Sequence, residues 1–194
     1  MSSPNLPYTF VGPLRTERLL VRAMVPGDVD DLHAYHSRED VCRYLPYEPR
    51  TRDEVAQKVA RNAAELTLAA DGDYWQLAVE RIDAPGRVIG DVFFALRSAD
   101  SAGGEIGWVQ NPDHCGHGYM TEAAGAVLEL AFTAIGLHRV MAQLSPLNTA
   151  SIALCKRLGM REEAHFVENL WLGDAWGSTG IYAILAREWA GAGT

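Results

Sequence analysis

Residues 104–122 read Gly-Glu-Ile-Gly-Trp-Val-Gln-Asn-Pro-Asp-His-Cys-Gly-His-Gly-Tyr-Met-Thr-Glu, and the remaining chain is arranged around them. Glu105 to Gln110 is strand-like, Asn111-Pro112 breaks it, and Gly116-His117-Gly118 turns the chain into an apolar helix starting near Tyr119. A strand that passes through glycines into a helix N-terminus makes an anion cradle. The first backbone N–H groups have no partner inside the helix and sit at the positive end of its dipole. Glycine lets an oxygen approach the main chain and permits positive φ. The stretch therefore predicts a bound phosphate group.

Two owners of such loops are excluded by its neighbours. A nucleotide-hydrolysing phosphate loop ends in Gly-Lys-Ser/Thr, whereas the only lysines here are Lys58 and Lys156, neither preceded by glycine. A dinucleotide fold wants a third glycine where Thr121 stands, and an acid about 20 residues on, where the chain has Gly136-Leu137-His138-Arg139. What remains resembles the pyrophosphate loop of the GNAT superfamily of N-acetyltransferases, Gln/Arg-x-x-Gly-x-Gly/Ala. The frame here is Asp113-His114-Cys115-Gly116-His117-Gly118, with Asp113 departing from the family's Gln or Arg. The continuation Gly118-Tyr119-Met120-Thr121-Glu122-Ala123 is similar to the branch that acetylates ribosomal-protein N-termini.

Working outward, Arg18 to Arg22 reads as a short strand, with Asp28 as N-cap of a helix through Tyr35. Thr51-Arg52-Asp53-Glu54 matches a capping box, and Val55, Val59, Ala63 and Leu66 follow at helical spacing. Tyr74–Arg81, with Trp75, Leu77 and Val79 alternating against polar neighbours, pairs through Ala84-Pro85-Gly86 with Val88–Arg97 as a hairpin. After the helix ends at Gly136, His138–Ser145 reads as a buried strand, completing a parallel crossover expected to be right-handed. Asn148 caps a helix closed by Gly159, and Met160–Trp171 with Ser178–Leu185 forms an antiparallel pair around Gly173-Asp174. Asn148-x-x-Ser151-x-x-x-Cys155-x-x-x-Gly159 matches a second GNAT pattern, and Trp176, Tyr182 and Arg187-Glu188-Trp189 resemble the tail of the same branch. The resemblance implies a mixed, mostly antiparallel sheet of about seven strands with a central parallel pair, flanked by about four helices. One domain over residues 1–194 is expected, with 1–13 irregular and 187–194 a tail.

Composition bounds the partners. The 194 residues are 48% hydrophobic, enough for one sizeable core. Seventeen basic against 25 acidic residues give a net charge of −8, which argues against non-specific nucleic-acid or anionic-membrane binding. Cys42, Cys115 and Cys155 lie far apart, fitting a reducing cytoplasm rather than a disulfide scaffold. Residues 1–13 carry prolines and polar residues, so no secretory signal is expected, and the longest apolar stretch falls short of the ~20 residues needed to span a bilayer.

By the resemblance, the cosubstrate is acetyl-coenzyme A and the acceptor a primary amine, of a small molecule or of a peptide. Cys115, Gly116, His117, Gly118 and Tyr119, with the Thr121 hydroxyl, would hold the pyrophosphate. A free N–H on the strand Trp108-Val109-Gln110, nearest Val109, would polarise the thioester. Asn148 both caps its helix and is placed to bond the pantetheine arm. For the base that takes the ammonium proton, Glu105 is the first candidate and Asp91 the second; each also reads as an ordinary strand carboxylate. Many relatives carry, where Cys155 stands, a tyrosine that protonates the leaving sulfur; here the resemblance gives that role to Ser151, one helical turn earlier on the same face. Cys155 reads either as a covalent nucleophile or as a buried core thiol. His114, Cys115 and His117 are too close in sequence for a tetrahedral metal cage without a distant fourth ligand, so no metal is expected. His33 and His36 read as surface residues, while Tyr44, Tyr47, Trp171 and Trp176 either wall a substrate channel or pack in the core. A coenzyme A sensor that transfers nothing is the rival. Relatives are often homodimers, though no residue here sets the oligomeric state.

Overall fold

The computed structural model of the chain describes residues 3–173 and 175–189; Met1, Ser2, residues 190–194 of the expected tail and Asp174 of the expected turn lie outside this range. Its strands are β1 (Tyr8–Thr9), β2 (Leu14–Arg15), β3 (Leu19–Ala23), β4 (Thr67–Leu68), β5 (Tyr74–Arg81), β6 (Val88–Ser98), β7 (Gly103–Gln110), β8 (Arg139–Leu144), β9 (Arg161–Trp171) and β10 (Trp176–Leu185). The helices are α1 (Val29–His36), α2 (Glu39–Cys42), α3 (Arg52–Ala64), α4 (Tyr119–Leu130), α5 (Thr149–Arg157) and α6 (Ala186–Trp189). Eight strands form one sheet in the order β2-β3-β5-β6-β7-β8-β10-β9, and β1 pairs with β4 apart from it. All pairings are antiparallel except β7 with β8. The eighth strand and the two extra helices, against about seven and about four expected, are the two-residue β2 and the four-residue α2 and α6. Segments that short carry no readable periodicity.

Local chemistry accounts for the elements that frame the centre. The Thr51 hydroxyl accepts from the Glu54 N–H at 3.3 Å while the Glu54 carboxylate accepts from the Thr51 N–H at 2.8 Å, so the expected capping box starts α3. Asp28 stands at the expected N-cap position of α1, but its side chain makes no bond to the helix end. Its carboxylate instead takes both terminal nitrogens of Arg22 at 2.8 Å and the Val25 N–H, because a half-buried arginine demands a fixed anion more strongly than a helix end does. Gly136, at φ 79°, ends the helical run that continues α4 through a π turn at Ala131–Ile135, and the chain re-enters the sheet as β8.

The sheet is covered on both faces. α4 lays Met120, Ala123, Ala124, Val127 and Leu128 against a core containing Trp75, Leu77, Val79 and Phe94. α1 and α3 cover the opposite face through Leu32, Tyr35, Val55 and Val59, packed with Ala78. The polar neighbours in β5 are therefore buried too: Gln76 and Glu80 join Trp75, Leu77 and Val79 inside. Alternation announces a one-sided strand, but a strand between two helical layers is enclosed on both sides.

One feature of the pairing positions the site. β7 and β8 run parallel and pair only over Gly103↔Arg139, Gly104↔Val140 and Glu105↔Met141. Beyond Glu105, β7 stays paired to β6 as far as Gln110, and β8 stays paired to β10 as far as Leu144. The two strands thus part in the middle of the sheet, and the backbone groups of Ile106 to Gln110 that face β8 have no strand partner there.

Candidate active site

β7 ends in the loop that the sequence singles out. Asn111 caps the short turn Pro112–His114, its side chain accepting from the Asp113 N–H at 3.1 Å. Gly116 and Gly118 then adopt φ of 84° and 76°, a region L-residues avoid. Among the described residues, the amides from Gly116 to Thr121 find no acceptor in the protein. A Cβ at Gly116 would meet nothing within 4 Å, and one at Gly118 would meet only an Arg18 nitrogen at 3.7 Å, so the cradle is open. Arg18 braces it from behind, donating to the His117 carbonyl at 3.0 Å, pairing with Glu122 at 2.6 Å and lying over the Tyr119 ring at 4.8 Å. Arg157 donates to the Thr121 hydroxyl at 3.2 Å, adding a cation at the rim. Arg18 and Arg157 stand about a hundred residues before the loop and 36 after it, and no sequence signal pointed to either.

At the parting of β7 and β8 a cavity of about 390 Å³ opens. Glu105, Trp108, Val109, Asn148 and Ser151, five of the expected site residues, line it together. The Trp108 indole N–H donates to the Ser151 hydroxyl at 3.1 Å, and Asn148 accepts from the Ser151 N–H at 3.0 Å, so one tryptophan and one cap fix the start of α5 against β7. Glu105 accepts from Arg97 at 2.7 Å. The far wall holds residues that sequence reasoning did not single out: Arg50, Lys58, Tyr74, Gln76, Phe93 and Arg97. Tyr44 and Tyr47 also line the cavity. Trp171 and Trp176 do neither of the things expected of them: they are 54% and 59% exposed and pack edge-on against each other at 5.2 Å, away from the cavity.

Asp91 lies behind the wall. It faces Val109 in the β6–β7 register and is wholly buried, accepting from the Tyr35 hydroxyl at 2.6 Å and from His36 Nε2 at 2.8 Å, with Gln76 on its other oxygen. Burial pushes this carboxyl up, but the His36 charge and hydrogen bond, Lys58 and the Tyr35 hydroxyl outweigh it and hold the group below the ordinary carboxylate value. His36 is consequently a core residue, 4% exposed, rather than a surface one. Its Nδ1 shares a second hydrogen bond with the Tyr47 hydroxyl at 3.0 Å. A hydrogen-bonded chain Asp91–His36–Tyr47 therefore runs from the core to the cavity wall. Burial and the Asp91 charge push the Tyr47 phenol far above its usual range, so it stays protonated.

Cys155 is not in the cavity. One turn beyond Ser151, its side chain points into the core with no exposed surface, and burial pushes the thiol up to about 12. A thiol so placed is neither a nucleophile at neutral pH nor within reach of a substrate, which removes the covalent reading. His165 is exposed on β9.

Cradle, parted strands and cavity lie in succession along β7, as an extended ligand with a phosphate end and a reactive end requires. Residues 18–161 match a family model described as the acetyltransferase (GNAT) domain. The chain belongs to the GNAT acetyltransferase family. It is 31% identical over 176 residues to an uncharacterized N-acetyltransferase of Bacillus subtilis, covering 91% of this chain and 98% of that one. Among solved structures, a GNAT-family acetyltransferase from Bacillus anthracis superimposes with a TM-score of 0.81 at 32% identity, over 90% of this chain and 99% of that one. The spermidine N-acetyltransferase of Vibrio cholerae, solved with coenzyme A and spermine, gives 0.76 at 20% identity, over 90% and 99% of the two chains. The ribosomal L7/L12 N-acetyltransferase, in complex with coenzyme A, gives 0.73 at 16%, over 88% and 95%. At these lower identities the likeness is one of fold, so the comparisons place the chain in the GNAT family without placing it in the ribosomal-protein branch. This GNAT chain is thus an N-acetyltransferase, as its relatives are named.

Proposed function

We propose that this acetyltransferase transfers the acetyl group of acetyl-coenzyme A directly to a primary amine, of a small molecule or of a peptide N-terminus. The observation that carries the reading is the parting of β7 and β8 beyond Glu105, which joins an open amide cradle to a cavity. The residues fit the carrier: unpaired N–H groups at Gly116 to Thr121 suit a pyrophosphate, and the gap beside Val109 suits a neutral arm. Acetyl-coenzyme A, when bound, supplies a thioester carbonyl. Unpaired backbone N–H groups near Val109 polarise it, and Asn148 steadies the arm leading to it. The Ser151 hydroxyl already accepts from Trp108, so its own proton is free for the leaving sulfur.

The amine must lose a proton before it attacks, since an alkyl ammonium with a pKa of about 10.4 is almost wholly charged at neutral pH. Glu105 is the carboxylate on the cavity wall and takes that role. Asp91 reaches the cavity only through other side chains, Gln76 on one side and His36 with Tyr47 on the other, which favours a supporting part for it. Incubation with acetyl-coenzyme A and an amine panel, followed by thiol release and mass detection of the acetylated product, tests the reaction. Release with none of the amines, while coenzyme A binds, overturns it. For the base, Glu105→Gln should lower kcat/KM by on the order of a hundredfold near pH 7 and remove the acidic limb of the rate profile. An unchanged limb removes Glu105 from the role. A homodimer belongs to the same reading and is supported by the exposed apolar side chains of β9, Phe166, Val167, Leu170 and Trp171.

A further inference from the structure

The cavity wall carries a charge pattern that bears on the acceptor. Three basic side chains and one acidic side chain line it: Arg50, Lys58, Arg97 and Glu105. Arg97 and Glu105 close on each other at 2.7 Å. Among the described residues, neither the Arg50 guanidinium nor the Lys58 ammonium has an ion-pair or side-chain hydrogen-bond partner. In a chain with net charge −8, whose other arginines are largely paired with carboxylates, two unpaired cations on one cavity wall are notable.

The two are also held side by side. The Arg50 guanidinium lies 3.8 Å from the centroid of the Tyr47 ring and the Lys58 nitrogen 5.6 Å from the same centroid. The ring itself is anchored through the Tyr47–His36–Asp91 chain. Stacked on a fixed ring, a guanidinium keeps its edge donors in a set direction, the fork geometry that matches a carboxylate. Burial lowers the Lys58 pKa and outweighs the opposing pull of the Asp91 charge. Asp91 does not serve as its partner anion, because the Asp91 oxygens are taken by Tyr35, His36 and Gln76. Nor are the phosphates of the carrier needed for it, since their cradle has Arg18 and Arg157 beside it.

Resting on the acyl-transfer reading above, we infer that the acceptor is an amine that also bears a carboxylate, of the amino-acid kind, with the acid group held by Arg50 and Lys58 and the amine directed to Glu105. The tilted Tyr74–Phe93 pair, centroids 5.6 Å apart, offers an apolar wall for the body of such a molecule. A polyamine would bring further ammonium groups against two cations with one anion, already paired, to receive them. This sets the chain apart in acceptor class from the spermidine acetyltransferase whose fold it shares.

Matched pairs that differ by the carboxylate alone provide the test: phenylalanine with phenethylamine, tyrosine with tyramine, lysine with cadaverine, and spermidine as the polyamine. The expected result is a kcat/KM at least tenfold higher for the carboxylated member of the preferred pair. Arg50→Gln and Lys58→Met should each erase most of that ratio by raising KM for the acid, while leaving the carboxylate-free amine and coenzyme A affinity unchanged. Preference for spermidine or for the carboxylate-free members overturns the inference and leaves acyl transfer standing. An equal effect of either variant on both members overturns it as well. Transfer to none of these amines, with coenzyme A still bound, overturns the acyl-transfer reading and the inference together.

Discussion

Asp91 shows how a carboxylate in the middle of a sheet is made tolerable. An ion of this size buried without partners would be strongly disfavoured, yet Tyr35, His36 and Gln76 satisfy both oxygens. Its folded pKa lies below the unfolded value of about 3.9, so the stability it contributes is present above that pH. That contribution fades as pH falls through the lower, folded value. Asp91→Asn should therefore destabilise the protein at pH 7 by on the order of 3 kcal/mol, because it strips His36 of its anion. The deficit should shrink in acid, which thermal unfolding between pH 7 and pH 3 would read; a deficit that does not change with pH counts against this account. None of this was legible beforehand, because Tyr35, His36, Tyr47, Gln76 and Asp91 lie on four separate segments and no local pattern links them. Cys155 and Ser151 were legible as neighbours on one helix face, but which of the two faced the cavity depended on packing.

At the scale of elements, the strand-turn-helix around Gly116 and Gly118 was readable because everything it needs is local: a break, two glycines and an apolar helix. The same holds for the Thr51–Glu54 cap and for the β7–α4–β8 crossover. β1 and β4, two residues each, were not, and Asp28 went to Arg22 rather than to its helix end. The cradle carries its own prediction. Gly118→Val places a branched side chain at φ 76° and crowds the open amides, so coenzyme A affinity should fall at least tenfold, about 1.4 kcal/mol. Titration calorimetry would read it, and an unchanged Kd would mean that the cradle does not hold the carrier.

For the whole molecule, the sheet leaves β9 as an edge, paired among the described residues with β10 alone, and Phe166, Val167, Leu170 and Trp171 on it are exposed. Exposed edges of this kind invite pairing with another chain. Sedimentation across a dilution series should find a dimer that Phe166→Lys with Trp171→Lys converts to monomer; a wild-type monomer at all concentrations excludes pairing there. Among the described residues no helix is long and apolar enough to cross a membrane.

Only three register pairs, at Gly103 to Glu105, stitch the five strands on one side of the sheet to the three on the other. A molecule wedged in the gap would thus serve as a keystone: its loss loosens the arch, and its arrival stiffens strands that never touch it.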